Sequence, residues 1–193
     1  MRIAHWLKPS LVAIMAMALF AACNDESPAG PAATLATAQG SGTDQGVAPV
    51  DLGTCDSLRV PAGSELGFHT YARGVQIYHW DGAGWILDGP SATLFADADG
   101  KAAVGTHYAG PTWKSTSGST VVGAVSKRCP ADPNAIPWLL LRGVSSEGPG
   151  VFKGVTHIQR VSTVGGKAPA EAGSPNQVRA IPYTAEYFFY RAP

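Results

Sequence analysis

The chain has 193 residues, with 14 Lys and Arg against 14 Asp and Glu, so its formal charge is zero and only 15% of it is charged. A protein that holds nucleic acid through bulk charge needs clustered cations to displace phosphate counterions, and that class is excluded. With 23 Gly and 15 Pro the composition is turn-rich, which excludes a long helical bundle or coiled coil.

Residues 1–22 read as a signal segment: Arg2 and Lys8 supply the positive start, and Leu11 to Ala22 an apolar run. That run is too short to cross a bilayer core, which takes about 20 residues as a helix. It ends Leu19-Phe20-Ala21-Ala22-Cys23. Small residues just before a Cys resemble the site preference of a bacterial lipoprotein signal peptidase, with Phe20 where Leu is commoner. A lipid on Cys23 is expected, ahead of ordinary secretory cleavage near Ala22. The partner this implies is a membrane held through that lipid, where several acyl chains hold far better than one. Asn24 follows the Cys, where an Asp would suggest inner-membrane retention, so the outer membrane or cell surface is the expected address. Without Arg2 and Lys8 the remainder has 12 basic and 14 acidic residues, a net charge of −2.

Residues 23–54 are rich in Ala, Gly, Pro, Ser and Thr and hold no aromatic residue. Such a segment buries too little apolar surface to offset its ordering entropy, so a disordered tether spanning roughly 30 Å is expected. Gly40 to Gly46 has the wrong spacing for a dinucleotide loop and lacks the flanking strand and helix. With Cys23 lipidated, Cys55 and Cys129 remain as an even pair. In an oxidising compartment a disulfide between them is expected rather than two free thiols.

Residues 55–193 read as one domain, enough for a single core. Strand-like runs recur: Leu66–Ala72, Val75–Trp80, Trp85–Leu87, Thr93–Ala96, Ala102–Tyr108, Thr112–Ser115, Thr120–Ser126, Ile136–Val144, Val155–Val161 and Tyr183–Arg191. Arg73-Gly74, Asp81 to Gly84, Asp97 to Gly100 and Ser117-Gly118 separate some of them as turn signals. No window has a helical period. The predicted class is all-β, a single antiparallel β-sandwich or closed β-barrel. Leu139-Leu140-Leu141 predicts a strand covered on both faces.

Six ordered motifs carry a resemblance. They are Gly74-Val75-Gln76-Ile77-Tyr78; His107 to Trp113 (HYAGPTW); Ile136 to Leu141 (IPWLLL); Glu147-Gly148-Pro149-Gly150; Val155 to Arg160 (VTHIQR) with Gly165-Gly166; and Tyr183-Thr184-Ala185-Glu186-Tyr187. Together, over about residues 58–191, the chain resembles domain-of-unknown-function family 3455 of bacteria and fungi. The resemblance implies no activity. Trp80 stands where the family's pattern often has Cys, so the Cys55–Cys129 pair rests on this chain alone.

The residues that could carry chemistry are few. Glu147 with His107 or His157 would suit a hydrolase, and Glu147 with Glu186 would suit the acid and base of glycoside hydrolysis. The plainer expectation is that Glu186 pairs with an Arg such as Arg160 or Arg142. Zinc sites favour close His or Cys pairs, whereas His69, His79, His107 and His157 stand ten or more positions apart, so no metal and no cofactor is expected. Only if they fell on antiparallel neighbours could His69 and His79 come together. Asp97-Ala98-Asp99-Gly100 reads as a hairpin turn rather than a calcium loop. Serine catalysis lacks the Gly-x-Ser-x-Gly elbow.

The aromatic residues carry more weight, because Trp and Tyr offer flat apolar faces with a polar handle. Trp80, Trp85, Tyr108 and Trp113 are the candidate stacking surfaces, with His107 as a polar orienter. The leading expectation is a non-enzymatic binding module for a carbohydrate or a small amphipathic ligand. The hydrolase is one alternative, and a structural envelope-interaction protein another.

Overall fold

The structure, a computed structural model, describes residues 50–193. The expected signal segment, the expected lipid site Cys23 and the expected tether as far as Pro49 lie outside the described residues. Eight strands follow in order: β1 Glu65–Trp80, β2 Trp85–Phe95, β3 Ala103–Tyr108, β4 Thr112–Ser115, β5 Thr120–Cys129, β6 Trp138–Glu147, β7 Val155–Gly165 and β8 Val178–Arg191. Each pairs antiparallel with the next, and β8 returns to pair with β1 from His79↔Val178 to Glu65↔Arg191. Of the two expected architectures the closed ring is the one present. Closure pairs every strand with two neighbours and removes the free edges of an open sheet, except where β2 and β5 run past the β3–β4 hairpin.

One turn signal falls inside a strand. Arg73 and Gly74 were expected to separate two runs, yet Gly74 pairs with Ala92 on one side and Tyr183 on the other. A Cβ there would strike the Ser91 carbonyl and Ala92, so the glycine permits close approach of strands instead of a turn. Gly89, at φ +146°, follows a bulge: Ile77 pairs with Gly89 but Tyr78 pairs with Leu87, leaving Asp88 unpaired. β2 therefore runs unbroken through Asp88-Gly89-Pro90. His69 and His79 both fall on β1. At about 3.3 Å per residue they lie tens of ångströms apart, and that meeting across neighbouring strands does not occur.

Alternate side chains fill the interior. Leu94, Trp113, Val121, Leu141, Ile158, Tyr187 and Phe189 form its buried core. Connections alternate between two ends, as antiparallel order requires. The β6–β7 connection sends Phe152 inward, with its ring 4.7 Å from Phe189 and 5.8 Å from Phe68. Ser119 Oγ accepts the Phe152 amide at 3.2 Å and so pins this plug.

A second apolar cluster lies outside the ring. Leu52 and Leu58 cover Leu140, Val161, Phe188 and Tyr190. Leu139 and Leu141 thus face the interior while Leu140 meets the amino-terminal segment, the two-sided burial that three consecutive leucines implied. Gln159 Nε2 donates to the Leu58 carbonyl at 2.8 Å, and Tyr190 donates to Gln159 Oε1 at 2.8 Å. Cys55 and Cys129 form the expected disulfide, with Cα atoms 5.7 Å apart. Packing begins before Cys55, because Leu52 is buried among residues whose composition had suggested only tether. Among the described residues no helix is long and apolar enough to cross a membrane.

Candidate functional site

The wall of the ring is incomplete above the β3–β4 hairpin. β2 starts at Trp85, but its pairing with β3 begins only at Ser91↔Tyr108. β5 extends to Cys129, but its pairing with β4 ends at Thr112↔Val122. The hairpin is too short to fill the space between these two overhangs. A cavity of about 240 Å³ opens there into the interior.

Leu87 and Pro90 from β2, Pro111 from the hairpin and Val125 from β5 form its apolar lip. Leu87 is 52% exposed and Val125 36%, so part of the apolar lip meets water. Deeper in stand Gln76, His107, Trp113, Leu139, Arg160 and Tyr187. Strand alternation explains the mixture, because each strand turns every second side chain inward whatever its polarity.

His107 is buried and lies flat on Trp113, with centroids 4.3 Å apart and planes 7° from parallel. Its Nδ1 is 2.9 Å from the Thr112 carbonyl. A carbonyl only accepts, so Nδ1 carries the proton and donates. Burial pushes the imidazole pKa down to about 3. Because that lies below the unfolded value, the stability gained from the neutral ring is complete above about pH 6.5 and is withdrawn as pH falls toward 3.

Three buried nitrogens in the lining have no hydrogen-bond partner in the protein, Gln76 Nε2, Trp113 Nε1 and Arg160 Nε, and the Tyr187 hydroxyl beside them makes no well-formed bond, although the Tyr183 hydroxyl and the Arg160 guanidinium lie against it. Burial raises both tyrosine pKa values, so both remain neutral phenols. Arg160 donates through Nη2 to the Pro137 carbonyl at 2.8 Å. Among the described residues no carboxylate pairs with it. Buried polar groups in folded proteins are nearly always paired, so a cluster of orphans in one cavity needs an explanation.

Of the candidates read from the sequence, the structure brings His107 and Trp113 together in this cavity, with Trp113 only 1% exposed. Trp80 and Trp85 instead meet edge to face at 5.5 Å, and Trp85 Nε1 donates to the Glu171 carbonyl at 2.9 Å. Gly173 packs against both rings, so the pair fastens the β7–β8 connection. Tyr108 follows His107 on β3 and therefore points outward, exposed. Glu147 is exposed at the opposite end of β6, paired in register with Thr120. His157 lies on β7 opposite Arg142, and its pKa is lowered by burial and then by Arg142. Glu186 sits 2.9 Å from His69 Nε2, so its partner is that imidazole and not Arg160 or Arg142. Register explains the difference: Tyr71 on β1 stands opposite Glu186, and His69 precedes it on the same face. None of Glu147, His157 and Glu186 lines the cavity.

Sequence reasoning missed Gln76, Arg160 and Tyr187 as site residues. The signal lay in the six motifs, all but Glu147-Gly148-Pro149-Gly150 placing at least one residue in the cavity lining. Among the described residues no three His, Cys, Asp or Glu side chains stand close enough to hold a metal ion. A family described as "Protein of unknown function (DUF3455)" matches residues 61–191. No curated protein and no solved structure matches the chain.

Proposed function

The chain belongs to the DUF3455 family of proteins of unknown function, and from its geometry we propose that it is a non-enzymatic binding module for a small amphipathic ligand. The observation that carries this reading is the cavity itself, with an apolar lip at Leu87 and Val125 above a floor of unpartnered polar atoms. A ligand enters polar end first, satisfies those atoms and leaves its apolar part against the lip. A volume of about 240 Å³ suits a small molecule or one end of a longer one. Carbohydrate is the weaker of the two ligand classes, because Trp80 and Trp85 face each other instead of forming a platform.

A hydrolase on Glu147 with His107 or His157 has less support. Glu147 is at the far end of β6, and no carboxylate lines the cavity to act as acid, base or nucleophile. A purely structural envelope role leaves the orphaned polar atoms without a purpose. We further propose that the protein works outside the cytoplasm, tethered through a lipid on Cys23. The Cys55–Cys129 disulfide supports an oxidising compartment.

A thermal-shift panel on the oxidised chain carrying Cys23→Ser tests the binding reading. Short straight-chain acids, alcohols and amines, small aromatic compounds, oligosaccharides and divalent salts form the panel. A ligand at about 100 times its Kd adds about 2.7 kcal/mol to the native state, a clear rise in Tm. Small amphipaths are expected to raise Tm and oligosaccharides and metal salts to leave it unchanged. A flat response to every amphipath would remove the reading.

A further inference from the structure

We propose that the polar end of the ligand is a carboxylate, held by Arg160 together with Gln76, Trp113 and Tyr187. This rests on the binding reading above and adds the sign of the charge. The lining contains Arg128 and Arg160 and no Asp or Glu. A guanidinium is charged at every working pH, and the imidazole of His107 is neutral with Nδ1 committed to the Thr112 carbonyl. The cavity floor is therefore cationic.

The unpartnered atoms agree with that sign. Gln76 Nε2, Trp113 Nε1 and Arg160 Nε only donate, and the Tyr187 hydroxyl can donate. A carboxylate only accepts, and its two oxygens offer about four lone-pair sites, enough to take all of these donors. An ammonium would face donors and a like charge. An alcohol would accept from some of the donors and leave the guanidinium without a counterion. The Arg160 guanidinium is half-buried with no carboxylate beside it, and a ligand anion supplies the missing counterion. Arg160 is held in place for the task, since its Nη2 bond to the Pro137 carbonyl fixes the group while Nε remains free.

The test is calorimetric titration of the oxidised chain carrying Cys23→Ser with hexanoate, hexanol and hexylamine at about pH 7. Hydrogen bonds to charged groups contribute about 1.5–3 kcal/mol, so hexanoate is expected to bind tighter than hexanol by roughly tenfold to a hundredfold. Arg160→Gln should bring hexanoate down to the level of hexanol and leave hexanol within about twofold. Arg160 also holds the Pro137 carbonyl, so a wild-type series guards against a variant that fails to fold. Lowering the pH through the carboxylate range near 4–5 protonates hexanoate and should weaken it, with hexanol unchanged. Of the lining groups, His107 stays neutral across that interval, Arg128 and Arg160 stay charged, and Tyr187 stays a phenol. Hexanol or hexylamine binding as well as hexanoate would overturn the carboxylate inference and leave the binding module standing. Failure of all three to bind would also overturn the carboxylate inference, and the binding module falls with it only if the whole amphipath panel is flat.

Discussion

Replacing Cys55 and Cys129 together by serine is expected to lower the stability of the domain by about 4 kcal/mol. The bond closes a loop of 74 positions, long enough for the chain-entropy effect to be near its upper range. It also fastens the segment that carries Leu52 and Leu58 to the end of β5. Without it, that segment must stay on the outer face through those two leucines and the Gln159 bond to the Leu58 carbonyl. Its release would expose Leu140, Val161, Phe188 and Tyr190 to water. The ring itself keeps every strand pair, so the variant should remain folded at low temperature with an unchanged β-sheet spectrum. Denaturant titration of the oxidised parent and the double variant measures the difference. A loss below about 1 kcal/mol would show that the staple is incidental.

Trp113→Ala is expected to cost about 3–5 kcal/mol, the range for removing a large aromatic side chain from a core. The indole is 1% exposed, lies 4.3 Å from His107 and meets Tyr187 at 5.3 Å and Phe189 at 5.9 Å. It joins the cavity to the interior packing, so its loss opens the cavity floor and leaves His107 without the ring it lies on. Ligand affinity should fall by at least about tenfold in protein that remains folded. Trp80→Ala separates the two roles, because Trp80 packs on Trp85 and Gly173 and does not line the cavity. That variant should bind as the parent does. Denaturation and ligand titration on the same samples check both statements, and equal loss of binding in the two variants would contradict them.

Local physics made part of this molecule legible. Gly-bearing turns at Asp81 to Gly84 and Asp97 to Gly100 lie between strands as expected, because hairpin chemistry is contained within a few residues. Leu139-Leu140-Leu141 was readable because burial on both faces removes the polar alternation. The disulfide followed from parity and compartment alone.

Gly74 was misleading. A glycine that lets two backbones approach and a glycine that turns a chain are the same residue in a linear text, and only the partner strand separates them. Closure depends on pairing β8 with β1, far apart in sequence, so the closed ring could be named only as one of two architectures.

The site was harder for the same reason. The cavity exists because β2 and β5 outrun the β3–β4 hairpin, a difference in strand length that no motif states. Polarity drew attention to Glu147, which is exposed, while Gln76 was read only as part of a motif and Arg160 only as a partner for Glu186. Among the aromatics, Trp113 and the imidazole of His107 line the cavity. Their importance comes from burial in a floor, where stacking on a ligand at an exposed rim had been expected.

The most direct test of the central claim is a titration of nitrogen-labelled protein with hexanoate, followed through side-chain N–H signals. The indole N–H of Trp113 and the amide of Gln76 are expected to shift together and saturate, because both lack a protein partner and line one cavity. The indole signals of Trp80 and Trp85 should remain in place. Shifts confined to Trp80, Trp85 or Trp138, or no saturable shift at Trp113, would show that the cavity above the β3–β4 hairpin is not where this protein takes its ligand.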